Sequence, residues 1–274
     1  TFGQKTFDNA SNDSKWSNKA NWLEADGTRV TAVPNAYNAK VIIKSATVIV
    51  DDNYKVGQIK FPSANDGGKT VITFTNINNK TLTIGAVGVS QPIILARSPQ
   101  HVKFNLPVIF DQQEASSKTE TWRFNAGNQQ ITFGEGHSFT VKDEMVFTAA
   151  NSTGEIHFDG TLDGAGNLKF GTASNAIFGA NFDGSSYTGK MIVAGDSTIA
   201  AKVTLTSNVA DGGTFLASGA SISVVKNGGT INVNGENTLK GNISLTGIFK
   251  LALNINKNQS AVGTITVGTG KLTV

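Results

Sequence analysis

The stretch GGTINVNGENTLKGNISLTG, residues 228–247, indicates the fold more directly than any other part of the chain. It places short apolar strands between turns made of Gly and Asn. Related segments are GTLDGAGNLKFG at 160–171, GGTFLASGASISV at 212–224 and VGTITVGTGKLTV at 262–274. Imperfect repetition of this kind is typical of coils that stack in register and bury equivalent positions on top of one another. The second half of the chain therefore predicts a solenoid.

Short alternating strands recur from Lys40 onward. KVIIKSATVIVDD, residues 40–52, reads as two strands, Val41–Ile43 and Thr47–Val50. Similar runs return roughly every eight to twelve residues and stop at Gly, Asn, Pro or Asp. No helical pattern is strong enough to supply βαβ crossovers, and phenylalanines fall mostly inside strands, where stacked rings fill a solenoid. We predict an all-β parallel β-helix; tandem antiparallel β-sandwiches divided near Ala149–Thr153 are the alternative.

The first 39 residues differ in texture from the rest. They are polar and rich in Asn, and they contain Trp16, Trp22 and Tyr37. An aromatic residue in such a segment commonly closes the open end of a coil stack, although these rings also suit a sugar-binding platform. We predict a cap segment at 1–39 and a β-helix domain at 40–274.

Composition excludes several functional classes. Apolar residues make up 39% of the chain and charged residues 16%, which is too apolar for a disordered protein. There is no cysteine, and hence no disulfide, thiolate metal site or cysteine nucleophile. The net charge is +3, but the basic residues are scattered and do not alternate with aromatic ones, so we expect no nucleic-acid partner. No run approaches the roughly 20 apolar residues of a membrane span.

The same composition indicates where the protein works. A bias toward Asn, Thr and Gly without cysteine suits a bacterial exported protein. The chain starts at Thr1 without a charged and then apolar leader. We expect an extracellular or cell-surface location, reached after removal of a signal peptide.

Residues 160–199 resemble the autotransporter-associated β-strand repeat. The matching positions are an opening turn and strand at Gly164, Gly166 and Leu168, a corner at Asn181, Tyr187, Thr188 and Gly189, and a close at 195–199; 234–241 resembles a second, degenerate corner. The segment Trp16-Ser17 to Val50 is similar to the opening of secreted bacterial β-helix proteins, in which a tryptophan-bearing cap precedes the first coil. The resemblance implies a right-handed β-helix on a bacterial surface, as in adhesins and passenger domains.

Histidines and acidic clusters are the candidates for chemistry. His101, His137 and His157 have no metal-type spacing to one another. Glu155, His157 and Asp159 follow at two-residue steps and should share one strand face, which suits a catalytic or metal site or, more simply, a solvated face. Asp51-Asp52-Asn53 and Asp143-Glu144 carry oxygen ligands for calcium but lack a calcium-loop pattern, so polar corners explain them better. We predict no metal, no cofactor and no catalytic residue.

Carbohydrate contact is the other candidate for a site. In the stretch Glu114, Lys118, Glu120, Trp122 and Arg123, the tryptophan can stack on a sugar ring while the arginine pairs with a uronate carboxylate. The same letters also read as a plain alternating strand. The glycan contacts that we predict are Trp16, Trp22, Trp122 and Arg123.

The last segment decides the predicted function. VGTITVGTGKLTV reads as two strands of strong β-propensity without a cap, and an open strand edge invites pairing with another chain. Either more protein follows Val274 in the native gene or the bare edge is used, and a head-to-tail contact that repeats without closing makes a filament. We therefore predict a subunit junction at Ile265, Val267, Leu272 and Val274, and self-association of a structural surface protein: an adhesin stalk, sheath or fibre subunit without catalysis. The alternative is a secreted polysaccharide-binding or lyase-type polysaccharide-degrading protein on the same scaffold.

Overall fold

The computed structural model describes residues 3–89, 91–96, 100–113, 120–124, 129–149, 154–171, 174–194, 203–226, 229–247 and 249–274, with the backbone alone at 120–124 and 149. Its described strands, numbered along the chain, form three sheets. The first sheet contains β1 (Lys5–Phe7), β2 (Trp22–Leu23), β3 (Lys40–Ile43), β6 (Gln58–Phe61), β9 (Ile93–Leu95), β12 (Glu120–Phe124), β15 (Met145–Ala149), β18 (Leu168–Phe170), β21 (Lys190–Val193), β23 (Ser221–Val224), β25 (Asn242–Leu245) and β27 (Ile265–Val267).

The second sheet contains β4 (Thr47–Val50), β7 (Val71–Asn76), β10 (His101–Asn105), β13 (Gln130–Phe133), β16 (Gly154–Phe158), β19 (Ser174–Phe178), β22 (Val203–Ser207), β24 (Gly229–Val233), β26 (Lys250–Ile255) and β28 (Lys271–Thr273). The third sheet contains β5 (Tyr54–Val56), β8 (Leu82–Ile84), β11 (Val108–Phe110), β14 (Ser138–Val141), β17 (Thr161–Gly164) and β20 (Asp183–Tyr187). Two short 3₁₀ turns, Lys19–Asn21 and Ala64–Asp66, complete the described secondary structure.

Strand pairing confirms the parallel β-helix. Each strand from β3 to β19 pairs in parallel with the strand that comes three positions later in the chain, so that three strands make one coil. Beyond β20 the third side of the coil carries no described strand, and the partners are two strands apart. The pair β1–β2 is antiparallel and lies at the first end. The alternative of antiparallel sandwiches is wrong; the right hand of the coil stays a prediction.

The alternation of side chains explains why these residues stack. Along β13, for example, Ile131 and Phe133 are buried and their neighbours face outward, as the period of two in a strand requires. Because the strands pair in register, equivalent inward residues fall on top of one another. The predicted aromatic column is confirmed: the rings of Phe74, Phe104, Phe133, Phe158 and Phe178 stack with successive centroid separations of 5.1, 5.6, 5.5 and 5.0 Å.

One apolar core runs through the described coils, from Phe7 in β1 to Leu253 in β26. The length of a coil varies along the chain: register partners lie 18 residues apart between β3 and β6, 31 between β21 and β23, and 21 between β23 and β25. Among the described residues, no helix has the length and apolar character needed to cross a membrane.

Candidate functional site

The aromatic residues of the first end lie inside the molecule. Trp16 and Trp22 are fully buried, with ring centroids 4.8 Å apart, and Trp16 also stacks on Tyr54 at 5.3 Å. The indole N–H of Trp16 donates to the Pro34 carbonyl at 2.9 Å, and that of Trp22 donates to the Trp16 carbonyl at 2.8 Å. Neither ring has a face for a sugar, so the predicted glycan contact is wrong for both tryptophans because their rings fill the end of the core.

A polar network holds the loop around these rings. The Asn21 side chain is buried and donates to the Asp13 carboxylate at 2.7 Å and to the Lys15 carbonyl at 3.0 Å. Its own carbonyl accepts from the Ser11 backbone N–H at 3.0 Å. Hydrogen bonds from the Asn18 side chain and the Lys15 backbone N–H hold the pKa of Asp13 well below its usual range. The buried hydrogen-bond donors and acceptors of Asn21 thus find their partners within the same segment.

The segment before Lys40 also covers the first strand edge of each sheet. In the second sheet, the Ile49 N–H donates to the Ser14 carbonyl at 2.7 Å, and the Trp16 N–H donates to the Ile49 carbonyl at 2.9 Å. In the third sheet, the Lys55 backbone carbonyl accepts from the Ala36 N–H at 2.9 Å, and the Lys55 backbone N–H donates to the Asn35 side-chain oxygen at 3.1 Å. In the first sheet, β2 is the edge strand, and an antiparallel bridge between Leu23 and Arg29 covers it.

The terminal rung, which we define as β27 and β28, is different. Five large apolar residues are exposed among those described: Val71, Ile77, Ile265, Val267 and Val274, and three of the five lie within 265–274. Val267 is 40% exposed and Val274 is 78% exposed, while Leu272 packs against the core. β27 and β28 each pair on one side only among the described strands. The residues that we predicted at a junction therefore lie together at one end of the molecule.

A polar cluster lies on the outer face of the second sheet. Glu155 and His157 share a strand face, as predicted, with the His157 Nε2 and the Glu155 carboxylate 2.9 Å apart. Two strands earlier in the sheet, His101 Nε2 lies 2.8 Å from the Thr132 hydroxyl. Burial lowers the pKa of His101, as do Lys103 and His157 nearby, so the ring is neutral at pH 7.

Asp159 extends this cluster beyond the end of β16. Burial raises the pKa of its carboxyl, and Glu135 raises it further, whereas His157 lowers it. Glu135 in turn accepts from the Asn181 side chain at 2.8 Å. In the described part of the chain, no group of three His, Cys, Asp or Glu residues can hold a metal ion.

The acidic sequences serve as corners. Asp51 accepts from the backbone and hydroxyl of Ser17, and Asp52 lies 3.6 Å from the Lys80 ammonium. Asn53 accepts from the Thr81 N–H at 3.0 Å. Asp51 thus contacts the segment before Lys40, and Asp52 and Asn53 contact the next coil, which supports the interpretation of this sequence as a polar corner.

The remaining glycan candidates are described in part. Trp122 and Arg123 lie in β12, but their side chains are outside the described residues, as are residues 114–119. Their predicted contact with a sugar stays a prediction.

Sequence reasoning missed two pairs because both depend on coil register. His101 and Thr132 are 31 residues apart, and Lys250 and Lys271 are register partners on β26 and β28. The signal that identifies such pairs is the spacing between the apolar triplets of successive coils. Because that spacing changes along the chain, it identifies partners only where the repeats are regular.

Comparison of the chain with protein families, with curated proteins and with solved structures found no match. The resemblance to the autotransporter-associated repeat therefore rests on the residues alone. Tyr187 belongs to β20 rather than to a corner, and its hydroxyl donates to the Gly166 carbonyl at 2.8 Å. Gly189 does lie at a tight corner, where a Cβ would clash with the same carbonyl oxygen. Residues 195–200, which contain the predicted close, are outside the described part of the chain.

Proposed function

We propose that this chain is a non-catalytic structural protein of the cell surface, a stiff rod whose terminal rung joins a second copy. The observation that carries the proposal is the contrast between the two ends. Each sheet edge at the first end is hydrogen-bonded to residues before Lys40, whereas the terminal rung presents Ile265, Val267 and Val274 to solvent.

Stiffness follows from the core. Adjacent coils are joined by backbone hydrogen bonds along every described sheet, and one apolar cluster fills the interior. Packed interiors resist deformation, so the coil stack moves as one body over its length. A surface protein that holds something away from a cell needs this property, and the bias toward Asn, Thr and Gly without cysteine supports export.

The covered first end favours one mode of association. Head-to-tail addition, which the sequence predicted, needs an acceptor strand edge at the first end, and the described edges there are already bonded. Two terminal rungs that meet about a two-fold axis need no such acceptor. Their strands would extend each other's sheets and remove Ile265 and Val267 from water. We therefore favour a tail-to-tail pair, with any longer fibre built through additional lateral contacts.

Light scattering coupled to size-exclusion chromatography tests this proposal. We expect a dimer at about 100 μM, and a monomer for the double variant Ile265→Lys/Val267→Lys, because two buried ammonium groups without partners oppose association. The matched control is Val71→Lys/Ile77→Lys, which changes two equally exposed apolar residues far from the terminal rung. The proposal fails if the unmodified chain is monomeric at that concentration, or if the control pair abolishes association to the same extent.

A further inference from the structure

A recess lies on the outer face of the first sheet, at the first end of the coil stack. Thr6 on β1 is the register partner of Leu23 on one side and of Ile42 on the other. Threonine is shorter than both neighbours, and a depression of about 450 Å³ remains above this row, lined also by Ala25 and Gly27. Sites for small molecules have volumes of roughly 300–1,000 Å³ and apolar walls with a few placed polar groups.

The two carboxylates that line the recess already have cationic partners. Asp8 accepts from both terminal guanidinium nitrogens of Arg29, at 2.8 and 2.9 Å. Glu24 lies 3.4 Å from the Lys5 ammonium, which also donates to the Ala32 carbonyl at 3.0 Å. Each of these carboxylates is therefore balanced by a cation of the same segment.

Three lysines on one side of the recess have no such partner. Lys40 and Lys44 lie two residues before and after Ile42 on the outward positions around β3, and Lys60 on β6 is the register partner of Ile42. Lys44 itself lines the recess. With the residues that the structure describes, none of the three ammonium groups forms a hydrogen bond or an ion pair. An anion at this side of the recess would find three donors of matching charge.

Two further acids near the recess are held within their own turns. Asp66, in the turn against which the stem of Lys44 packs, accepts from the Ser63 hydroxyl at 3.1 Å. Asp26 accepts from the N–H and the hydroxyl of Thr28, at 2.9 and 2.7 Å. Asp26 follows β2, on the side of the recess away from the lysines of β3 and β6. The recess thus has a cationic side and, across Thr6, an opposite side where Leu23 and Ala25 are apolar.

We propose that this recess binds a small amphipathic anion, of which a medium-chain carboxylate is the simplest case. The head group lies among the ammonium groups of Lys40, Lys44 and Lys60, and the alkyl chain crosses Thr6 toward Leu23. Both parts contribute: hydrogen bonds between ionised partners are stronger than neutral ones, and every methylene that leaves water adds to the affinity.

The composition of the recess favours this class over sugars and nucleic acids. Its lining contains no aromatic ring on which a base could stack, and Gln4 and Thr6 are its only uncharged polar side chains for sugar hydroxyls. The site lies at the end of the stack opposite the terminal rung. It is therefore independent of the tail-to-tail contact.

Octanoate tests the proposal by isothermal titration calorimetry, with the methyl NMR signals of Leu23 and Ile42 reporting where it binds. We expect octanoate to bind and to shift both signals. Octyltrimethylammonium, 1-octanol and acetate each lack the negative charge or the chain, and should bind at least about tenfold more weakly. Decanoate should bind about threefold to tenfold more tightly than octanoate, because two more methylenes leave water.

Two kinds of variant separate the charge from the recess. Lys44→Gln/Lys60→Gln should weaken octanoate binding by about tenfold or more, because it removes two charge-assisted contacts. The matched control Lys190→Gln/Lys226→Gln removes the same charge from exposed positions elsewhere and should change the affinity less than about threefold.

Filling the recess tests its shape without altering its charge. Thr6→Trp places a large ring at the centre of the recess, keeps all three lysines and should abolish octanoate binding. Thr83→Trp makes the same change at an outward position of the third sheet and should leave binding unchanged.

Several results would overturn the proposal. These are failure of octanoate to bind, equal binding of 1-octanol or octyltrimethylammonium, equal losses from the two lysine pairs, and binding by Thr6→Trp as by the unmodified chain. Vesicles of phosphatidylglycerol provide the last comparison. A protein that binds these vesicles but not octanoate would use this face for a membrane surface, and the recess would not be a site for a small anion.

Discussion

The two ends of the coil stack differ in how their strand edges are covered. At the first end, the segment before Lys40 supplies hydrogen-bond partners to Ile49 and Lys55 and fills the interior with Trp16 and Trp22. At the other end, β27 and β28 continue the sheets without comparable cover among the described residues. Both ends present the same problem, since a parallel coil leaves backbone donors and acceptors on its last strand. The first end shows that a dedicated segment covers a strand edge, whereas one more coil only moves the edge along the stack.

The largest expected difference between the ends concerns their aromatic and aliphatic contacts. Replacing Trp22 with Ala should cost about 3–5 kcal/mol of unfolding free energy, because the ring is fully buried against Phe7 and Trp16. Replacing Leu272 with Ala should cost about 1 kcal/mol or less, because its side chain is only partly buried. Urea unfolding followed by circular dichroism measures both. Equal losses would contradict the view that the first end is a built cap and the terminal rung is not.

A smaller effect is expected from the polar network of the cap. Asn21→Ala leaves the Ser11 N–H and the Lys15 carbonyl without their partner and should cost about 2 kcal/mol. At the other end, Asn242→Ala removes one exposed hydrogen bond to the Thr264 N–H and should cost less than about 1 kcal/mol. The same urea titrations measure this pair. If Asn21→Ala and Asn242→Ala lower the free energy of unfolding equally, burial of the polar network is not what stabilises the cap.

Lowering the pH should destabilise the first end of the coil stack before it destabilises the terminal rung. Because its hydrogen bonds lower the pKa of Asp13, the stabilisation it provides is complete above about pH 4 and is lost as the pH falls toward the folded-state pKa. The chain has no carboxylate side chain between residues 237 and 274. Hydrogen exchange, corrected for the intrinsic pH dependence, should therefore show the amides of Trp16 and Ile49 losing protection at low pH while those of β25 change little. Asp13→Asn should remove much of this loss of protection at low pH. If the variant loses protection as the unmodified chain does, groups other than Asp13 cause the pH dependence.

The sequence predicted the parallel stacking because that property is local. Alternation along strands such as β3 and β13, with Gly or Asn at the corners, specifies which side chains face inward, and the aromatic column of Phe104, Phe133 and Phe158 follows from it. The two-residue steps of Glu155, His157 and Asp159 predict one shared strand face; Glu155 and His157 do lie in β16, whereas the strand ends at Phe158 and Asp159 lies just beyond it. The partner of His101 depends on the length of the loops between coils, and no single-residue pattern encodes that length.

The cap illustrates the same limit. Trp16 and Trp22 are unusual residues in a polar segment, but both a buried plug and an exposed platform agree with their positions in the sequence. The choice between them depends on where the indole N–H groups find acceptors. The carbonyls of Pro34 and Trp16 meet that need only once the loop has folded over the first coil.

Spin-label distances can show whether the terminal rung joins two copies tail to tail. The chain contains no cysteine, so Thr269→Cys, in the exposed turn between β27 and β28, and Lys19→Cys each accept a single label. The 12 strands of the first sheet, spaced by about 4.8 Å, make a stack roughly 50 Å long. We predict that labels at 269 give one short distance, below roughly 30 Å, because they lie beside the junction, whereas labels at 19 lie about two stack lengths apart. Equal distances of about one stack length for both labels, as in a head-to-tail array, or no dipolar signal from 269, would show that the two copies do not meet at their terminal rungs.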